Sequence, residues 1–419
     1  MSDSTSKPWS YQKLRDSLRK NIDGAFIAPY QDYQLGSQFQ PIVSLTHARV
    51  IGHEGLMRVH DADAKAVAPH KLLHLIEHDH DQLMVLDRLA RLVHLANAAN
   101  VKEGWLFINM HPQVFAAARD TGPQGLLIDA CREFSIDASH VVIEILEHAI
   151  HDESRFADAI ALIREHNFLV ALDDFGAGHS NFDRVWKLSP DIVKLDRVFA
   201  TGAENDARIR RLLPRIVALL HESGVFVLLE GIETHTQAMV ALDANIDFAQ
   251  GDYFGRPDNT PRAIRSLVET AAQLWQNYDS EIVEQQRLTE STLLPYKLAM
   301  SRAANRLAER ETLEDACRDF LALPNVEFCG LLDSGGRQIG NNLHDLVASK
   351  FTRFIPNSNL GGARWGRRPY FRSAIANIGT PQATDPYLSA LTGHVCITVS
   401  LAFMSNQGVR VICGDIVWE

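Results

Sequence analysis

Phe39-Gln40-Pro41-Ile42-Val43-Ser44-Leu45, Thr46-His47-Ala48-Arg49, Val50-Ile51-Gly52-His53-Glu54-Gly55-Leu56-Met57: two apolar runs stand on either side of four residues. Four residues cannot form the crossover that parallel neighbours need, so the pair reads as an antiparallel hairpin. Further apolar runs follow at Trp105 to Met110, Val141 to Leu146, Phe168 to Asp173, Asp191 to Leu195 and Val225 to Leu229, with a weaker one at Asp247 to Gln250. Amphipathic stretches separate them, the pattern of repeated β/α units. Eight runs between Gln38 and Pro257 fit a closed (β/α)8 TIM barrel of roughly 250 residues. The hairpin makes this α/β barrel irregular, with its first strand antiparallel to the rest.

At 419 residues the chain exceeds what one core usually serves. From Pro261 to about Arg310 apolar residues recur at helical spacing with few breakers, as in a helical linker. Beyond it Val326 to Leu332, Val395 to Ala402 and Val409 to Trp418 read as strands separated by turns such as Ser334-Gly335-Gly336. That predicts a small α+β domain on an antiparallel sheet. The expected division is an N-terminal segment (1–30), the barrel (31–260), the linker (261–310) and the last domain (311–419).

The net charge of −11 argues against long nucleic acids as partners, because their affinity comes mostly from Lys and Arg on phosphates. No apolar run is long enough to span a bilayer, and Met1 to Arg19 is polar and mixed in charge, unlike a secretory signal. A cytoplasmic protein without membrane contact is expected. Five cysteines, far apart and without a C-x-x-C pair, read as reduced thiols, leaving oxygen or imidazole as metal ligands.

The polar residues at the ends of the barrel runs carry the chemistry: Glu54, Asn109, Glu144 with Glu147, Asp173 with Asp174, Lys194, Glu230 with Glu233, and Gln250. Strand C-termini of such a barrel converge on one rim, so these groups should surround one pocket. Any one acid at a strand end is more often a helix cap or an ion-pair partner; so many in one barrel point elsewhere. Crowded carboxylates raise each other's pKa unless cations neutralise them. Carboxylate and amide oxygens without sulfur indicate Mg2+ or Mn2+ rather than zinc. Adjacent aspartates suit two ions, the usual device for in-line attack on a phosphodiester. Lys194 could hold the attacking hydroxide or offset charge building on phosphorus.

These segments resemble the EAL family of cyclic di-GMP phosphodiesterases. The resemblance is carried by Phe39-Gln40-Pro41-Ile42-Val43, Glu54-Gly55-Leu56-Met57-Arg58, Phe107-Ile108-Asn109, Glu144-Ile145-Leu146-Glu147, Leu172-Asp173-Asp174-Phe175-Gly176-Ala177-Gly178, Val193-Lys194-Leu195-Asp196, Glu230-Gly231-Ile232-Glu233-Thr234 and Gln250-Gly251-Asp252-Tyr253-Phe254-Gly255-Arg256-Pro257. It implies a first metal on Glu54, Asn109, Glu144 and Asp173, and a second on Asp173, Asp174 and Glu230. By the same resemblance Lys194 contacts the nucleophilic water, and Glu54 and Glu230 join it in catalysis. Gln40, Arg58, Glu233, Gln250 and Asp196 would meet the substrate, and Glu147 would anchor a loop. The reaction implied breaks one P–O3′ bond of cyclic di-GMP and leaves linear pGpG. Two features depart from the pattern: Glu-Ala-Leu is here Glu54-Gly55-Leu56, and Thr-Gly-Tyr-Ser-Ser after the paired aspartates is Ala177-Gly178-His179-Ser180-Asn181. The altered loop keeps open a receptor that binds cyclic di-GMP and acts through a partner; the intact ligands favour an enzyme. A homodimer is what the family implies.

In the last domain Arg364-Trp365-Gly366-Arg367-Arg368-Pro369-Tyr370-Phe371 and Asp385-Pro386-Tyr387-Leu388-Ser389 resemble PAS/Cache-like sensory domains. That implies a pocket for an unknown small molecule lined by Trp365, Tyr370 and Tyr387, with Arg364 or Arg368 taking an anion; core aromatics and a solvated basic turn are the competing reading. His70, His74 and His78 fall on one face of an expected helix, read as a solvated face.

Overall fold

A computed structural model describes residues 10–99, 104–116, 123–147, 153–178, 182–261, 265–344, 361–389 and 391–418. The chain divides into two compact units, Met1–Asp279 and Ser280–Glu419. The boundary falls within one helix, Arg265–Ala308. No helix among the described residues is long and apolar enough to cross a membrane.

Eight strands close the barrel of the first unit: β1 Tyr33–Ser44, β2 Arg49–His60, β3 Trp105–Asn109, β4 Val141–Leu146, β5 Leu169–Phe175, β6 Ile192–Leu195, β7 Phe226–Leu229 and β8 Phe248–Gln250. β1 pairs antiparallel with β2 and with β8, while β2 to β8 run parallel around the ring. The antiparallel first strand follows from the short Leu45–Ala48 connection, whose tight turn places Ala48 at φ 47°. The sheet begins ahead of the barrel: Phe26–Tyr30 pairs with β1. The barrel interior holds an apolar layer of Ile42, Phe107, Val142, Ala171, Ile192, Leu228 and Phe248, one from each of seven strands. A larger core lies outside it, between strands and helices, and includes Leu83, Leu86, Val93, Ile143, Val193 and Val227. The helix expected to carry three histidines ends at Ile76, so His78 lies past its C-terminus and only His70 and His74 share it.

The second unit is an antiparallel sheet. Its long strands are β9 Val326–Leu332, β10 Gln338–His344, β11 Val395–Ser405 and β12 Gly408–Val417, in the order β10-β9-β12-β11, with two short strands on β11. Leu293, Met300, Ala303, Cys317 and Phe320 pack on one face with Leu331, Val399 and Ile412. On the other face Tyr370, Phe371 and Ala374 of the helix Pro369–Ala376 meet Leu332, Ala402, Val411 and Cys413, and Trp365 and Tyr387 join them. The structure thus gathers Trp365, Tyr370 and Tyr387, while Arg364 is exposed and bridges to the Arg337 backbone.

Candidate active site at the barrel rim

Side chains of a strand alternate between faces, so each residue of the apolar interior layer has its next interior neighbour two positions along. Those neighbours are Asn109, Glu144, Asp173, Lys194, Glu230 and Gln250 on the parallel strands. On antiparallel β1 the direction reverses, and the residue two before Ile42 is Gln40, which stands opposite Glu54 of β2. The polar cluster is therefore the next interior layer of the barrel, at its C-terminal rim.

The paired aspartates sit at an irregularity. Between Leu172 and Phe175 the register of β5 against β6 slips, and Asp174 takes the left-handed φ of 58°. Such a bulge re-aims side chains, and a non-glycine residue at positive φ carries strain that clusters at functional sites. Two residues later Gly176 has φ 102°, and a Cβ there would lie 2.1 Å from the Phe199 ring. Only glycine fits. Oxygens of Asp173, Asp174 and Glu230 lie within 4.8 Å of one another.

At the centre stands Lys194, 1 % exposed. Its Nζ lies 2.5 Å from Glu144 Oε1, 2.5 Å from Glu230 Oε1, 3.0 Å from Asp173 Oδ1 and 3.8 Å from Glu54 Oε2. One ammonium faces four carboxylates, so the charges do not balance. Burial works against the Lys194 charge, yet Asp173, Glu144, Glu230 and Glu54 outweigh it and raise its pKa. For Glu144 burial, then Glu54, push the carboxyl well up; for Glu230 burial is again the first cause, and the pKa rises to about 8. Glu54 goes the other way. Burial opposes its charge, but Lys194 and hydrogen bonds from Gln250 Nε2 (2.7 Å) and Asn109 Nδ2 (2.9 Å) hold its pKa low. Glu144 is wholly buried; the Lys194 contact to its Oε1 is an ion contact rather than a directed hydrogen bond, and Oε2 has no hydrogen-bond partner. A buried carboxylate oxygen without a hydrogen-bond donor suits a metal ligand. Oxygen donors in excess of cationic charge fit divalent ions of the Mg2+ or Mn2+ type.

Around this centre Gln250 Nε2 lies 3.2 Å from Gln40 Oε1, and Gln40 donates to the Gly255 carbonyl at 3.2 Å. Arg58 donates from Nε to Gln38 Oε1 at 2.7 Å. Glu233 is exposed where the chain turns into the helix His235–Asp243. Asp196 caps the helix Arg197–Asn205 by accepting from Val198 N at 2.9 Å. Glu147 is 2 % exposed and pairs with Arg184 Nη1 at 2.8 Å. Of the altered loop, Ala177 is described, whereas His179 and Asn181, with Ser180 between them, lie outside the described residues.

Sequence reasoning missed the supports. In the helix His80–Ala98 buried Asp87 pairs with Arg91 and accepts from His111 N at 2.7 Å, fixing the chain just past Asn109. His94, 3 % exposed, lies 2.6 Å through Nδ1 from Ser37 Oγ, and its ring covers Gly55. Burial first, and then the Arg58 and Arg91 charges, lower its pKa to about 4 against the pull of Glu54, so the imidazole is neutral. The available signal was Asp87, Arg91 and His94 recurring at helical spacing among leucines that form the buried face.

The profile of the EAL domain matches residues 24–257, more than half of the chain. The chain belongs to the EAL domain family. Among curated relatives it is 27% identical over 268 residues to the cyclic di-GMP phosphodiesterase RocR of Pseudomonas aeruginosa, covering 59% of this chain and 65% of that one. It is 26% identical over 220 residues to the probable cyclic di-GMP phosphodiesterase PdeB of Escherichia coli, covering 51% of this chain and 40% of that one. The chain thus spans less than two thirds of these relatives. Among solved structures, the Bacillus subtilis YkuI protein, which has an EAL domain and was crystallised with substrate c-di-GMP and calcium, aligns with a TM-score of 0.75. That match covers 92% of this chain and 96% of that one at 20% identity, a likeness of fold.

Proposed function

We propose that the barrel hydrolyses cyclic di-GMP to linear pGpG. The observation that carries this is the convergence of Glu54, Glu144, Asp173 and Glu230 on a single lysine, with a buried Glu144 oxygen left without a donor. Relatives named for this activity support it. Glu54, Asn109, Glu144 and Asp173 would hold one Mg2+ or Mn2+ ion, and Asp173, Asp174 and Glu230 a second. Bound there, such ions supply Lewis acidity toward a phosphate and lower the pKa of a water. Lys194, held charged by its acidic neighbours, faces the nucleophile and the charge that grows on phosphorus. Gln40, Arg58, Glu233, Gln250 and Asp196 serve the substrate; Arg58 supplies a guanidinium suited to a phosphate. Water adds to phosphorus, one P–O3′ bond breaks, and the departing 3′ oxygen takes a proton. The second unit, as a PAS/Cache-like domain that binds a small molecule through Arg364, Trp365, Tyr370 and Tyr387, would regulate the barrel within a cytoplasmic homodimer.

Purified protein incubated with cyclic di-GMP and Mn2+ or Mg2+, and analysed by chromatography, should yield pGpG, and Glu54→Ala should not. Tight binding with no product at any metal concentration would refute hydrolysis and identify a receptor.

A further inference from the structure

Spacing along the chain gave no thiolate metal site, because the cysteines lie far apart. The sheet of the second unit brings one of them to other ligands. Glu327, Cys396 and Asp415 each offer a ligand atom, all within 4.8 Å of one another. They come from β9, β11 and β12, and the register accounts for their meeting. Pairing of β9 with β12 slips between Val326 and Phe328, which leaves Glu327 as the extra residue of a bulge. A bulge turns a side chain out of the regular alternation. Cys396 and Thr398 share a face of β11, and Thr398 stands opposite Asp415 of β12. His394, just before β11, contacts Glu327 Oε1 through Nδ1, and Cys396 Sγ lies 3.3 Å from Glu327 Oε2. One thiol and two carboxylates therefore converge, with the His394 imidazole against one of them, Glu327.

The surroundings are those of a held ligand. Asp415 accepts from Thr398 Oγ1 at 2.7 Å, from Ser389 Oγ at 2.9 Å and from the Tyr387 hydroxyl at 3.3 Å (Oδ1) and 3.4 Å (Oδ2), and that hydroxyl also meets Thr398 Oγ1 at 2.6 Å. These donors hold Asp415 in one orientation. Hydrogen-bonded carboxylates of this kind recur as metal ligands. Asp415 and Cys396 are buried at 2 % and 0 % exposure, whereas the His394 side chain is 45 % exposed and gives the cluster an opening to solvent. The Glu327 and Asp415 carboxylates approach within 4.8 Å of each other, a repulsion that a divalent cation relieves.

We propose that Glu327, His394, Cys396 and Asp415 form a binding site for a single transition-metal ion of the zinc class. Mixed nitrogen, sulfur and oxygen donors favour such an ion over the hard cations that suit the oxygen-rich barrel rim. The proposal is independent of the barrel chemistry.

The test loads the full-length chain, stripped with chelator, with Co2+ and records its absorption spectrum. A thiolate–cobalt charge-transfer band reports this site, because the barrel set contains no sulfur. The expected result is the band with about one tightly held equivalent of cobalt, loss of the band in Cys396→Ser, and roughly tenfold or greater weakening in Glu327→Gln. No band, or a band that survives Cys396→Ser, overturns the proposal. Should Cys396→Ser fail to fold by circular dichroism, Glu327→Gln decides: a charge-transfer band that forms in that variant at undiminished affinity overturns the site, and its weakening supports it.

Discussion

Replacing Gly55 by alanine restores the family's Glu-Ala-Leu and, on the reasoning above, should weaken this protein. A Cβ at position 55 would lie 3.0 Å from His94 Cγ, 3.2 Å from its Cβ and 3.3 Å from Nδ1. Those separations are short of van der Waals contact by a few tenths of an ångström, and the ring is fixed by Ser37 at 2.6 Å. Overpacking of this sort costs about 1–3 kcal/mol. Against it stands the gain from removing a glycine from the unfolded chain, about 0.4–1 kcal/mol. The net expectation is a loss of about 1 kcal/mol, or about 2–4 °C in Tm for a domain of this size. In a His94→Ala background the two ring contacts disappear and only the 3.2 Å approach to the residue-94 Cβ remains, so Gly55→Ala should become nearly neutral. Thermal unfolding of the four proteins of that double-mutant cycle, with and without Mn2+, measures both numbers. Because residue 55 follows Glu54, the strained variant should also show a smaller Mn2+-induced rise in Tm. Equal stabilisation by Gly55→Ala with and without His94 would refute the argument that His94 dictates the glycine.

Lys194→Met removes the one ammonium among four carboxylates, and breaking a buried ion cluster costs about 3–5 kcal/mol. Metal-free Tm should fall accordingly and the Mn2+-induced rise should exceed the wild-type value; an unchanged rise counts against metal binding at this centre. Glu230 has its pKa raised to about 8, so its contribution to stability is complete below the unfolded value and is lost as pH climbs through 8. His94, lowered to about 4, acts in the opposite direction but only below about 6.5, which leaves pH 6.5–8 as the clean window. In chelator, stability should decline across that window, with Mn2+ reversing the decline and Glu230→Gln lessening it in denaturant titrations, the remaining slope coming from Glu144, whose carboxyl is also pushed up; a flat wild-type profile contradicts the assignment. Arg184→Ala removes the 2.8 Å ion pair to buried Glu147 and should cost about 3 kcal/mol by urea unfolding. Arg184→Lys should recover only part of this, because Arg184 Nη1 also donates to the Glu147 carbonyl at 3.0 Å.

The barrel was legible because its signal is local. Each strand carries its own apolar run, and the four-residue link after Leu45 could be judged by length alone. The site was legible for a related reason. In a barrel, layer position is encoded by steps of two, so Phe107 to Asn109, Val142 to Glu144, Ala171 to Asp173, Ile192 to Lys194 and Leu228 to Glu230 repeat one instruction on five strands. What was not legible depends on rotation about a helix axis relative to a particular strand. Nothing in the run His80–Ala98 states that His94 will meet Gly55 or that Asp87 will reach His111, since either contact changes if the helix turns by a fraction of its 3.6-residue period. The cluster of Glu327, Cys396 and Asp415 was hidden for another reason: a one-residue slip at Val326/Phe328 decides which way Glu327 points, and alternation alone does not predict where a slip falls. Positions set by strand period could be read in advance, whereas those set by helix rotation or by a bulge could not. The same division separates the barrel centre, where sequence and structure name the same residues, from the second unit, where a metal site would have to be found in three dimensions.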